Sequence, residues 1–190
     1  MSSEDAMGRE DKIILIGYRC TGKTSIGKRL AGRLALPFLD TDHLVEKKAG
    51  KSIRELVAEG GWAAFRKQEQ EAIMTLTSLG KSVIATGGGS VMEGENAAIL
   101  KEEGMLIWCR ADAETIQQRM LADGATSDGR PPLSPHDLKR EIEETLAERL
   151  PVYRGLADFT LDTGKTGIEE SVEQILGFMK DKRGLEPLLR

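Results

Sequence analysis

The sequence predicts an α/β fold in which a parallel sheet is covered by helices on both faces. Three observations predict it. Short apolar runs recur as Ile13–Ile16, Phe38–Leu39, Val83–Ala85, Met105–Cys109 and Phe159–Leu161, and the stretches between them are long enough for helices. The first run leads through a glycine-rich loop into a helical pattern, the order that a phosphate-binding βα unit requires. The third run ends in Gly87-Gly88-Gly89, three residues without side chains at a strand's carboxyl end, where ligands of open α/β sheets bind.

Lys12-Ile13-Ile14-Leu15-Ile16 is the β-branched run expected of a strand buried on both faces. Gly17-Tyr18-Arg19-Cys20-Thr21-Gly22-Lys23-Thr24 then fits GxxxxGK[ST]. Glycine permits a tight path whose N–H groups face phosphate oxygens, the lysine reaches the β/γ-phosphates, and the Thr24 hydroxyl suits Mg²⁺. A helix is predicted over Ser25–Ala35, with Ile26, Leu30 and Leu34 apolar. Further helices are predicted over Ile53–Glu59, Trp62–Leu79, Ala113–Leu121, Pro135–Leu150 and Ile168–Lys180. The polar, breaker-rich stretch from Asp123 to Pro132 reads as a mobile loop. Residues 1–11 read as a flexible leader, 12–180 as a single domain with a lid at about 122–134, and 181–190 as a charged tail.

The length of 190 residues suits one domain, and a hydrophobic fraction of 39% is enough for a conventional core. A net charge of -4 lacks the basic excess of a nucleic-acid binder, so no nucleic-acid partner is expected. Cys20 and Cys109 have no CxxC or Cys/His spacing, which argues against a disulfide scaffold or structural zinc. No apolar run is long enough for a membrane span, and the polar start lacks a secretory core, so the expectation is a cytoplasmic protein without a membrane partner.

A phosphate loop alone serves GTPases, ATP-driven motors and small-molecule kinases. No Asn-Lys-x-Asp run is present to read guanine, and Met105-Leu106-Ile107-Trp108 does not end in the carboxylates of a motor. Asp40-Thr41-Asp42 follows the second strand and is the better acid site. Asp40 suits a magnesium-bound water, and Asp42 suits an acceptor hydroxyl that it would orient or deprotonate. Capping of a helix that starts near Asp42 is the plainer role for Asp40 or Thr41. Arg66, Arg130 and Arg149 remain, and together they offer planar forks to an anionic substrate, with Arg130 on the lid. Arg66 with Glu69 also has the spacing of an ordinary helical ion pair.

In their order and combination these motifs closely resemble those of the shikimate kinase family over about Lys12 to Gly177. They are the phosphate loop, Asp40-Thr41-Asp42, Phe65-Arg66 with Glu69, Gly87-Gly88-Gly89, Arg130-Pro131-Pro132-Leu133, and Arg149-Leu150-Pro151-Val152-Tyr153-Arg154. The resemblance implies a three-layer α/β/α P-loop fold with a five-stranded parallel sheet and a mobile lid, and transfer of the ATP γ-phosphoryl to the 3-hydroxyl of shikimate. It assigns catalysis to Lys23, Asp42 and Arg130, and ATP binding to residues 17–25 (Gly17, Tyr18, Arg19, Cys20, Thr21, Gly22, Lys23, Thr24, Ser25) with Arg119 and Arg130. It assigns the acceptor to Asp42, Arg66, Gly87, Gly88, Gly89 and Arg149, and Mg²⁺ to Thr24 and, through water, Asp40. ATP and shikimate are the implied partners of a monomer. Two departures stand out: Arg-Pro-Pro-Leu replaces the more usual Arg-Pro-Leu-Leu, and Cys20-Thr21 replaces smaller loop residues. A kinase for another polyol acid such as gluconate, and a nucleotide-driven regulatory protein, are the alternatives. The paired Arg66 and Arg149 and the triple glycine favour shikimate over the first, and the Asp40/Asp42 pair disfavours the second.

Overall fold

The computed structural model describes residues 12–122 and 135–183. The expected leader, most of the expected lid including Arg130, and residues 184–190 lie outside the described residues. Five strands run β1 (Lys12–Ile16), β2 (Phe38–Asp40), β3 (Ser82–Ala85), β4 (Met105–Arg110) and β5 (Phe159–Asp162). They form one parallel sheet in the order β2-β3-β1-β4-β5. Seven helices accompany them among the described residues: α1 (Lys23–Leu34), α2 (Thr41–Ala49), α3 (Ile53–Thr75), α4 (Gly94–Glu103), α5 (Ala113–Ala122), α6 (Pro135–Leu156) and α7 (Ile168–Arg183).

Alternation along the strands creates the three layers, because successive side chains point to opposite faces. Ile13, Leu15, Val83 and Ile107 pack on one face against Ile26 and Leu30 of α1 and Val172 and Ile175 of α7. Ile14, Ile16, Ile84 and Leu106 pack on the other against Ile73 of α3, Leu100 of α4 and Tyr153 of α6. Trp108 is core, stacked on Tyr153 with ring centroids 5.8 Å apart. Central β1 is bonded to β3 and β4, so the loops after β1, β2 and β3 open at one end of the sheet.

Four helices differ from expectation. The two predicted over 53–59 and 62–79 are one element, α3, bent at Gly61 where φ is 71° and ψ 179°. That left-handed φ suits glycine and interrupts the helix without ending it. α3 ends at Thr75, and a single 3₁₀ turn over Leu76–Ser78 follows. α6 does not stop at Leu150 but continues through Pro151 to Leu156. Proline removes one backbone donor there, yet packing of Tyr153 against Trp108 holds the last turn. α4 was absent from the expected helices: it starts at Gly94 without a side-chain cap, so it lacked a sequence signal. α7 extends to Arg183, three residues past the predicted end at Lys180.

Candidate active site

The sharp turn after β1 is set by glycine geometry. Gly17 has φ +136°, and a Cβ there would stand 2.2 Å from the Cys109 carbonyl oxygen of β4. Only a residue without a side chain lets the loop start that close to the neighbouring strand. Cys20 also has a positive φ of 59°, a left-handed conformation that costs a non-glycine residue about 1 kcal/mol or more. Inside the loop, Lys23 Nζ donates to the carbonyls of Gly17 (2.8 Å) and Tyr18 (2.7 Å), and Thr21 Oγ1 donates to Tyr18 O (2.7 Å). Burial lowers the Lys23 pKa, while the charges nearby, including Asp42 and Asp40, act in the opposite direction.

Asp40 serves as both cap and polar bridge. Its Oδ1 accepts from the Asp42 N–H (3.1 Å) as the N-cap of α2, and its Oδ2 accepts from Thr24 Oγ1 (2.9 Å). The capping role and the position expected for a metal site therefore coincide in one side chain. One hydroxyl and one carboxylate at that separation fit Mg²⁺, a hard ion that usually keeps several waters and phosphate oxygens rather than a full protein cage. Among the described residues no cluster of three or more His, Cys, Asp or Glu offers such a cage.

Asp42 faces the other way, into a cavity of about 210 Å³. Burial pushes its carboxyl up to about 7, helped by the charge of Asp40 and opposed by Lys23. Arg66, Glu69, the three glycines and Arg149 line the same cavity. These residues come from α2, α3, the loop after β3, and α6, so side chains distant in sequence meet at the sheet's carboxyl end.

Each glycine of the triplet is crowded by a site residue. A Cβ on Gly87 would meet Asp42 Oδ1 at 2.5 Å, one on Gly88 would meet Arg19 N at 3.0 Å, and one on Gly89 would meet Arg66 Nη2 at 2.6 Å. The Gly87 N–H is taken by Thr41 Oγ1 (2.9 Å). The Gly88 carbonyl accepts from Arg149 Nη1 (3.0 Å) and Tyr153 Oη (2.5 Å). Arg66 Nη1 donates to buried Glu69 Oε2 (2.5 Å), while Ser90 Oγ donates to Glu69 Oε1 (2.6 Å), so the helical ion pair is present and also aims the guanidinium. Trp62 and Phe65 lie 5.9 Å and 5.3 Å from that guanidinium.

A second groove of about 470 Å³ runs along Cys20, Gly22, Lys23, Thr24 and Ser25 to Arg119. Arg119 donates to Thr163 O (2.6 Å), Thr163 Oγ1 (3.3 Å) and Cys20 O (3.3 Å), which ties α5 to the loops after β1 and β5. Of the expected ATP-binding loop, Tyr18 and Arg19 line the Asp42 cavity and not this groove. His43 is exposed on α2 and belongs to neither cavity.

Sequence reasoning missed Thr41, Ser90, Tyr153 and Thr163, which touch backbone or other site residues. Glu141 and Thr145, also missed, precede Arg149 by eight and four residues, so one face of α6 lines the cavity. That spacing was legible before the fold was known. The partners of Tyr153 and Thr163 were not, because they lie on other elements.

A family model described as shikimate kinase matches residues 19–180. The shikimate kinase of Syntrophus aciditrophicus (strain SB) is 45% identical over 179 residues, covering 90% of this chain and 92% of that protein. The shikimate kinase of Pelotomaculum thermopropionicum is 40% identical over 174 residues, with 92% and 98% covered. Among solved structures, a shikimate kinase from Acinetobacter baumannii in complex with shikimate matches with a TM-score of 0.84 at 30% identity, covering 94% of this chain and 97% of that one.

Proposed function

This chain belongs to the shikimate kinase family, and from that premise we propose that it transfers the γ-phosphoryl group of ATP to the 3-hydroxyl of shikimate, in the cytoplasm. The observation that carries the reading is the placement of Asp42 beside Arg66, Gly88, Gly89 and Arg149 in one cavity, with the phosphate loop forming its border. A carboxylate for a hydroxyl and guanidinium forks for a carboxylate, in one small space, suit a compact polyol acid.

Phosphoryl transfer depends mostly on positioning and on neutralising charge. Lys23, held now by the Gly17 and Tyr18 carbonyls, exchanges those contacts for phosphate oxygens. Asp42, once ionised, accepts a hydrogen bond from the acceptor hydroxyl and takes its proton as the bond to phosphorus forms. Arg66 and Arg149 grip the acceptor carboxylate, and Gly88 and Gly89 let the ring approach the backbone. Arg119 lines the same groove as the phosphate loop and would contact adenine there. Arg130 belongs to the lid and would add positive charge on closure. Thr24 and, through water, Asp40 would hold Mg²⁺, which when bound would neutralise charge on the triphosphate.

An acceptor panel tests the reading. With ATP and Mg²⁺, ADP formation depends on shikimate and gluconate does not replace it. ADP release indifferent to shikimate, or stimulated by gluconate or a protein partner instead, rejects it.

Gly89→Ala tests the carboxylate grip without deleting it. The new Cβ would press on the far end of the Arg66 side chain, which can shift while its charge stays beside Glu69, at little cost to folding. We expect the KM for shikimate to rise about tenfold, the effect of losing one charge-assisted hydrogen bond, with the KM for ATP within about twofold. Arg66→Ala gives the same KM change but also lowers the melting temperature, because it strands the buried Glu69 carboxylate with Ser90 alone. Steady-state kinetics with a thermal melt separates the two variants, and an unchanged shikimate KM in both removes Arg66 from the site.

A further inference from the structure

The phosphate loop divides between the two cavities. Cys20, Gly22, Lys23 and Thr24 line the nucleotide groove, whereas Tyr18 and Arg19 line the acceptor cavity. The Arg19 backbone N–H is packed against Gly88, 3.0 Å from where a Cβ would stand, so the side chain leaves the loop at the edge of the acceptor's glycine triplet. Its guanidinium carbon lies 5.9 Å from the centroid of the Tyr18 ring, and that of Arg149 lies 5.5 Å from the same centroid. The buried tyrosine thus gathers two guanidinium groups, one from the donor loop and one from α6.

Bringing like charges to one ring costs free energy in the unliganded protein, and Glu141 on the same wall offsets part of that cost. Arg149 already gives one N–H to the Gly88 carbonyl, and Arg66 gives one to Glu69, so neither brings its full set of donors to a ligand. A further planar fork over the same tyrosine ring adds donors of the kind that a two-oxygen anion accepts.

We propose that Arg19 is a third acceptor-binding arginine, contacting the shikimate carboxylate beside Arg149, so that the donor loop itself helps to select an anionic acceptor. The proposal rests on the shikimate reading above. It treats residue 19 as a specificity determinant on the acceptor side and gives it no contact with ATP.

The test pairs Arg19→Gln with a change in the ligand. Parent and variant are compared on shikimate and on its neutral methyl ester, by kcat/KM, or by calorimetric Kd where the ester is not turned over. If Arg19 meets the carboxylate, the variant loses about tenfold on shikimate and less than twofold on the ester, while the KM for ATP stays within twofold. Arg19→Lys recovers part of the loss, since it keeps the charge without the fork. Equal losses on both acceptors show an effect on shape alone, a raised ATP KM shows a nucleotide contact, and no loss shows no contact. Each of these overturns the proposal. A parent enzyme inactive on shikimate overturns the functional reading as well, and is thereby distinct from a failure of Arg19 alone.

Discussion

Asp42→Asn lowers turnover by about 10²–10⁴-fold, the usual contribution of a positioned general base, and leaves nucleotide binding intact. The amide keeps the size of the carboxylate, so the cavity retains its shape while losing the group proposed to take the hydroxyl proton. The same substitution stabilises the unliganded fold. Burial, then the neighbouring Asp40, pushes the Asp42 carboxyl from 3.8 up to about 7, so the folded chain holds this proton more tightly than the unfolded chain does. Stability from this group is present in full below about pH 4 and is lost as pH rises through about 7. Above that window the parent carries the cost of a buried charge that the asparagine avoids, a difference of about 2–4 kcal/mol.

Urea unfolding at pH 5 and pH 8 checks the stability effect, with the variant's advantage expected to be larger at pH 8. The kcat/KM for shikimate should also fall as pH drops below about 7, because free enzyme with Asp42 protonated cannot accept the hydroxyl proton. Intact turnover in the variant, or a variant less stable than its parent at pH 8, removes Asp42 from this role. The expected exchange of stability for activity has a physical origin: the carboxylate is kept where its charge is poorly solvated because only there can it meet the acceptor.

Gly17→Ala destabilises the protein by about 3 kcal/mol or more, and the fraction that still folds binds ATP at least about tenfold more weakly. Two costs act together. The φ of +136° is unfavourable for any residue with a Cβ, and the added carbon would lie 2.2 Å from the Cys109 carbonyl oxygen. That oxygen belongs to β4, which is paired on both sides in the sheet, so the strand cannot retreat without losing ladder bonds. Movement of the loop instead displaces the Gly17 carbonyl that holds Lys23 Nζ. Gly32→Ala is the matched control, since nothing lies within 4 Å of its Cβ position on α1; it should stabilise by about 0.5–1 kcal/mol. Thermal melts and an ADP titration measure both effects, and a Gly17→Ala protein with unchanged melting temperature and ADP affinity rejects the steric account.

The parts of the site legible in the sequence are those whose chemistry is local. Gly17 to Thr24 announces a phosphate loop because the spacing of Gly17, Gly22, Lys23 and Thr24 is itself the mechanism. Asp40 and Asp42 were legible because they follow a strand directly, and Arg66 with Glu69 because an i,i+3 pair on a helix needs no other element. The alternation of strand-like and helix-like runs was enough for the class of fold, since side-chain periodicity is a property of the backbone at each segment.

Only the tertiary structure decided which way the loop's own side chains face. Tyr18 and Arg19 are inseparable from the phosphate loop in sequence, yet packing of Gly88 against Arg19 and of Arg149 against Tyr18 turns them toward the Asp42 cavity. The same holds for Tyr153, which becomes a support for Gly88 only because α6 runs on past Pro151 and stacks that ring on Trp108. Residue types and spacings alone determined the phosphate loop, the candidate acid and the basic groups available. Their division between the two cavities came from contacts across 60 or more positions of chain, as between Arg149 and Gly88, and no local pattern records such contacts.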